Sequence, residues 1–159
     1  MATTDDDLLL ERQLCYALAL ASRSVIASYR PVLDKLGITH PQYLVMLALW
    51  EQSPRTVKEI SEALLLEPAT VTPLLKRLGD AGLLTRTRRK GNERALDVAL
   101  TPRGAALREQ ALSVPTTMMA RLNITRDEAA ELHGSMMRLI AAAQASREAD
   151  AVEGSLAHG

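Results

Sequence analysis

The stretch VKEISEALLLEPATVTPLLKRLGDAGLLTRTRRKGNERALDVAL, running from Val57 to Leu100, changes its apolar period once, and that change decides the fold. Up to Ala81 the spacing is helical. Thr56-Val57-Lys58-Glu59 matches a capping box, in which a hydroxyl and a carboxylate reciprocally satisfy orphan N–H groups, so a helix starts there and runs to about Leu64. After a brief turn a second helix runs from Pro68 to about Ala81, held inward by Val71, Leu74, Leu75 and Leu78. Pro73 falls close to its first turn, where a missing N–H costs little. Past Gly82 the period becomes two. Leu84–Thr87 and Leu96–Leu100 read as strands, separated by a polar loop, Arg88–Glu93, with a turn-forming Gly91-Asn92. A third short strand around Arg55 to Val57 fits the sequence without being required by it.

Helix, turn, helix and a basic hairpin, in that order, describe a winged helix-turn-helix over residues 38–101. The overall fold class is mainly α with a small β-wing. From Lys76 to Arg94 the basic residues are Lys76, Arg77, Arg86, Arg88, Arg89, Lys90 and Arg94, opposed only by Asp80 and Glu93. A basic run alone fits a solvated surface as well as a polyanion site; the elements around it point to double-stranded operator DNA. Thr70, Thr72, Lys76 and Arg77 form the expected helix reader, at a helix start whose dipole favours phosphate. Arg86, Arg88, Arg89, Lys90, Asn92 and Arg94 form the expected wing reader, long enough to reach a minor groove.

Outward from this segment the pattern is helical. Upstream, Thr39-His40-Pro41-Gln42 caps a helix to Glu51 that is apolar nearly all round and therefore expected at the centre of the core. Before it, Leu10, Leu14, Leu18, Ala21 and Val25 recur at helical spacing, giving a first helix from about Leu8 to Tyr29, bent or interrupted at Pro31 and stopped at Gly37. Downstream, Thr101-Pro102 opens a helix to about Leu112 or beyond. Thr125-Arg126-Asp127-Glu128 opens a last one to about Ala145, striped by Leu132, Met136, Leu139, Ile140 and Ala143. The organisation expected is a flexible start at residues 1–7, helical dimerisation segments at 8–37 and 102–146, and a flexible tail at 147–159.

Composition narrows the function. In 159 residues Lys+Arg and Asp+Glu each number 19, so the basic run is local rather than global. One cysteine, Cys15, leaves no intrachain disulfide, and His40, His133 and His158 lack metal-ligand spacing. The acidic start differs from a signal peptide, and no apolar run approaches the ~18 residues of a membrane span. A soluble cytoplasmic protein without membrane, metal or cofactor is expected. No phosphate loop, nucleophile elbow or paired-carboxylate motif suggests an enzyme.

The motifs Pro41-Gln42-Tyr43-Leu44, Thr70-Val71-Thr72-Pro73-Leu74-Leu75-Lys76-Arg77-Leu78, Gly82-Leu83-Leu84-Thr85-Arg86, Asn92-Glu93-Arg94 and Leu100-Thr101-Pro102-Arg103-Gly104 resemble the MarR-type winged-helix regulators from Leu10 to Ala145. That resemblance implies a homodimer with interlocking terminal helices, a recognition helix in the major groove and a wing arginine in the minor groove. One departure concerns the wing: the family pattern is Asp-x-Arg, and here Asn92 precedes Arg94, which bears on wing rigidity.

Glu11-Arg12-Gln13-Leu14-Cys15-Tyr16, with Ala21-Ser22-Arg23 and Tyr29-Arg30-Pro31, is similar to the organic-hydroperoxide-sensing branch of that family. The resemblance implies a repressor released when Cys15 is oxidised by organic hydroperoxide, with aromatic hydroxyls of the opposite subunit on the sulfur. Tyr29 matches one such position; His40 stands where a second tyrosine is usual, and Ala19 where another aromatic often occurs. Geometry agrees on one point. Fourteen residues of helix separate Cys15 from Tyr29 by roughly 21 Å, so they can meet only between chains. With no second cysteine, oxidised Cys15 would form a mixed disulfide with a low-molecular-weight thiol, over-oxidise, or pair with its copy across the dimer. Other readings are a repressor released by a small phenolic or apolar ligand, with Cys15 structural, and a thiol peroxidase, which would lack a resolving cysteine.

Overall fold

A computed structural model describes residues 5–156 and divides into two compact units, one up to Met118 and one from Met119. In the first unit two short 3-10 turns, Asp5–Leu8 and Leu10–Arg12, precede α1 (Leu14–Leu33). The long helix thus starts six residues later than its apolar spacing suggested and continues beyond Tyr29. Pro31 does not end it. A proline in the last turn forfeits one N–H bond, to the Ala27 carbonyl, while buried Val32 and Leu33 anchor the turn on the core. Gly37, at φ 74°, supplies the left-handed stop after a further 3-10 turn, Asp34–Leu36.

The helix α2 (His40–Glu51) is the central one. Both halves of its capping box form: Thr39 Oγ1 accepts from Gln42 N at 3.4 Å and Gln42 Oε1 from Thr39 N at 2.9 Å. Tyr43, Val45, Met46, Ala48 and Leu49 are buried, and α2 packs against α1 and the three helices that follow, α3 (Val57–Leu64), α4 (Pro68–Asp80) and α5 (Pro102–Ala111). The Thr56–Glu59 box opens α3 as expected, with Glu59 Oε2 2.6 Å from Thr56 N. The turn to α4 puts Leu65 in the left-handed region at φ 53°, and Leu66 N donates to Ser61 O at 3.0 Å. Val71, Leu75 and Leu78 of α4 are buried, with Leu74 half-buried. Pro73 is the sixth residue of α4, so it does remove one interior bond, and the buried neighbours hold the helix through it.

The sheet has the order β1-β3-β2 and is antiparallel throughout: β1 (Arg55–Thr56), β2 (Leu84–Arg89) and β3 (Asn92–Leu100). The strands absorb most of the expected loop and leave Lys90-Gly91 at the tip, with Gly91 at φ 86°. On the other side of the wing, Thr101 caps α5 through Gly104 N at 3.0 Å, and Trp50 Nε1 donates to Gly104 O at 2.9 Å. A Cβ on Gly104 would lie 1.9 Å from the Leu83 carbonyl oxygen, so glycine is what lets α5 approach. After α5 the chain restarts as α6 (Val114–Leu122), whose Val114 and Met118 are buried.

The second unit is built on α7 (Arg126–Leu156), opened by the capping box of Thr125 and Glu128. It runs past Ser146 to Leu156, beyond the end near Ala145 that the sequence pattern suggested. Composition permits this: Ala, Glu, Arg and Leu make up six of residues 147–156, and the sole strong helix breaker among them is Gly154. Asp5–Asp7 fall in the first 3-10 turn; residues 1–4 and 157–159 lie outside the described ones.

Candidate nucleic-acid interface and redox site

One face of α4 carries the expected helix reader. Thr70, Thr72, Lys76 and Arg77 are exposed, opposite the buried Val71, Leu75 and Leu78. Ala69 and Pro73 complete the same exposed arc, positions that charge and hydroxyl content could not reveal; small apolar surfaces suit thymine methyl groups. Thr72 Oγ1 donates to Pro68 O at 2.8 Å, which fixes the hydroxyl and leaves its lone pairs outward. Lys76 Nζ lies 2.9 Å from Asp80, an exposed i,i+4 pair that DNA phosphates could readily replace.

The wing presents Arg86, Arg88, Lys90, Asn92 and Arg94 as exposed side chains. Asn92 does not leave its turn loose: Oδ1 accepts from Arg94 N at 3.2 Å. Arg88 Nη1 donates to Glu93 O at 2.8 Å, closing the tip from the other strand. Arg89 differs from its neighbours, because its guanidinium is engaged by Asp97 on β3. Between the wing and the helix pair lies a groove of about 710 Å³, bordered by Lys58, Glu59, Glu62, Thr72, Arg89 and Arg94.

Cys15 is exposed and occupies the first turn of α1. Tyr29 lies four turns further along the same helix. The structure places it against His40 instead, ring centroids 5.4 Å apart in an edge-to-face arrangement, and 6.2 Å from Tyr43. Tyr43 in turn meets Trp50 at 6.4 Å, so an aromatic row leads from the N-terminus of α2 into the core. Burial lowers the His40 pKa and so favours the neutral imidazole, which has one N–H to donate. The fold therefore unites Tyr29 and His40 and keeps Cys15 of the same chain apart from them. A cavity of about 540 Å³ borders His40, lined by Arg23, Ile26, Ala27, Arg30 and Ile38 among others. Among the described residues no group of acids, histidines and cysteine is placed to hold a metal ion, and no helix is long and apolar enough to cross a membrane.

Residues 38–96 match the MarR family. An organic hydroperoxide resistance transcriptional regulator of Bacillus subtilis (strain 168) is 41% identical over 135 residues, covering 85% of this chain and 92% of that protein. The chain belongs to the MarR family. Two solved structures extend the likeness of this MarR chain to its three-dimensional form. Reduced AbfR bound to DNA matches with a TM-score of 0.71 at 31% identity, covering 85% of this chain and 94% of that one. Overoxidized AbfR bound to DNA matches with a TM-score of 0.72 at 30% identity, covering 87% and 97%. As a MarR winged helix the chain is a DNA-binding transcriptional regulator.

Proposed function

We propose that this protein is a homodimeric repressor that leaves its operator when an organic hydroperoxide oxidises Cys15. The observation that carries the reading is the Tyr29–His40 contact at 5.4 Å, four helical turns from the exposed Cys15. Such an arrangement is incomplete within one chain and becomes a site when a second chain brings its Cys15 to the pair. Exposed apolar residues support the dimer: Leu10 and Leu14 in the first unit, and Leu132, Met136 and Ile140 on α7. The name of the Bacillus subtilis relative supports the oxidant class.

In this mechanism the Cys15 sulfur attacks the terminal peroxide oxygen. The O–O bond breaks, sulfur becomes sulfenic acid, and the organic oxygen leaves as an alcohol after gaining a proton. The Tyr29 hydroxyl and the neutral His40 N–H are the donors available to sulfur and leaving oxygen. A small cellular thiol then condenses with the sulfenic acid, releasing water and leaving a mixed disulfide on Cys15. The bulky adduct pushes on the dimer interface that spaces the two recognition helices. The thiol is consumed in stoichiometric signalling, so the protein is not an enzyme.

On the DNA side Thr70, Thr72, Lys76 and Arg77 read the major groove, and Arg94 enters the minor groove, supported by Arg86, Arg88 and Lys90 on phosphate. The decisive experiment is Cys15→Ser. It retains operator binding and is not released by hydroperoxide with a small thiol present; release as readily as the native protein contradicts the proposal. The cavity beside His40 favours a second reading, in which a small phenolic or apolar ligand fills it and Cys15 is structural. A phenolate that raises the melting temperature of Cys15→Ser and releases it from DNA selects that reading.

A further inference from the structure

The wing of this chain is held by a contact that the sequence motif did not suggest. Arg89 Nε lies 3.1 Å from Asp97 Oδ1 and 3.4 Å from Oδ2, and Nη2 lies 3.1 Å from Oδ1. Both guanidinium nitrogens converge on Oδ1, and Nε also reaches Oδ2, so the planar group is held in direction as a point charge would not be. The two residues are not cross-strand partners. Asp97 pairs with Thr87 on one side of β3 and with Thr56 on the other, so it stands on the central strand where wing and helix pair meet. Arg89 lies beyond a break in register, at which the partners of β2 jump from Leu96 to Asn92. The ion pair bridges that break. Glu59 of α3 borders the same groove; the hydrogen bond from the Thr56 backbone chiefly holds its carboxyl below the usual range, with a smaller pull from the Arg89 charge.

We propose that Arg89 and Asp97 act as a positioning brace, which sets the wing against the helix pair so that Arg94 reaches DNA. This rests on the operator-binding reading above. The Asp97 side chain is 24% exposed and that of Arg89 46%, so the pair adds little to global stability. Its role is geometric. Asn92 holds its own turn only through its amide oxygen, and Asp97, five residues later, restrains the hairpin from its base.

The test separates a brace from a direct DNA contact by sign. Removing an acid near DNA ordinarily strengthens binding, and would do so here if Arg89 grips phosphate. The brace gives the opposite: Asp97→Ala weakens operator binding about tenfold, as does Arg89→Ala, and the double variant is no worse than either. The charge-swapped Arg89→Asp/Asp97→Arg protein recovers most of the loss. In an Arg94→Ala background Asp97→Ala has no further effect, because the brace acts through that arginine. Melting temperatures stay within a degree or two of the native protein throughout, while amide exchange in residues 88–95 quickens. Equal or tighter binding by Asp97→Ala, or no recovery on swapping, overturns the proposal. If the native protein shows no operator binding at all, the operator-binding reading fails first.

Discussion

The proposed DNA reader and the proposed redox switch are built in opposite ways. The reader is complete within one chain: α4 is seated by fully buried Val71 and Leu75, and its wing folds back in the adjoining residues. The switch is divided. Cys15 opens α1, Tyr29 lies four turns along it, and His40 joins Tyr29 only because the chain reverses at Gly37. A reader made of neighbouring elements can be rigid. A switch shared between chains can alter their spacing, and spacing is what a dimer on two half-sites must keep.

Mixing two inactive variants tests this contrast most severely. Cys15→Ser and the double variant Tyr29→Phe/His40→Phe should each respond poorly as homodimers. Co-expressed with different tags and purified as a heterodimer, they contain one intact composite site, and hydroperoxide should again release DNA. A site confined to one chain would leave the heterodimer inert.

The next largest effect belongs to the reader. Leu75→Ala opens a cavity beneath α4 and should cost about 3 kcal/mol, seen as a large drop in denaturation midpoint. Peroxide reactivity of Cys15 at low temperature should survive it, since α1 is not its support.

These contrasts also mark what the sequence could show. Capping boxes at Thr39, Thr56 and Thr125 were legible because their chemistry spans three residues. The winged order was legible from one change of period. The extent of the wing was not: Arg88, Arg89 and Asn92 are strand because of partners across the hairpin, β3 continues through Glu93–Ala95, and this polar composition mimics a loop. The start of α6 at Val114 is marked only by Pro115 in its first turn, amid poor helix formers, and the reach of α7 to Leu156 carries no sharp signal before Gly154. In sequence Arg89 is indistinguishable from its basic neighbours; only the fold sets Asp97 beside it. For the switch, fourteen residues of helix separated Cys15 from Tyr29, but only the fold showed Tyr29 against His40.

Two smaller effects refine the comparison. Leu65→Gly relieves a left-handed leucine in the turn between α3 and α4 and should raise stability by about 1 kcal/mol, measured by chemical denaturation. His40 should give a modest pH dependence. Its pKa is lowered by burial, so the unfolded chain binds more protons than the folded one as pH falls. The His40 contribution is therefore full above the unfolded value near 6.5 and is lost as pH drops through the folded value. Thermal melts between about pH 7.5 and 5 should fall less for His40→Gln than for the native protein.

The link between switch and reader is tested most directly by one titration with an organic hydroperoxide and a small thiol. The oxidation state of Cys15, by mass spectrometry, and operator occupancy, by fluorescence anisotropy, are followed in the same samples. Occupancy should fall in step with oxidation of Cys15, and Cys15→Ser should remain bound at every dose. Full occupancy with Cys15 wholly converted to the mixed disulfide, or release while Cys15 is still reduced, would contradict it.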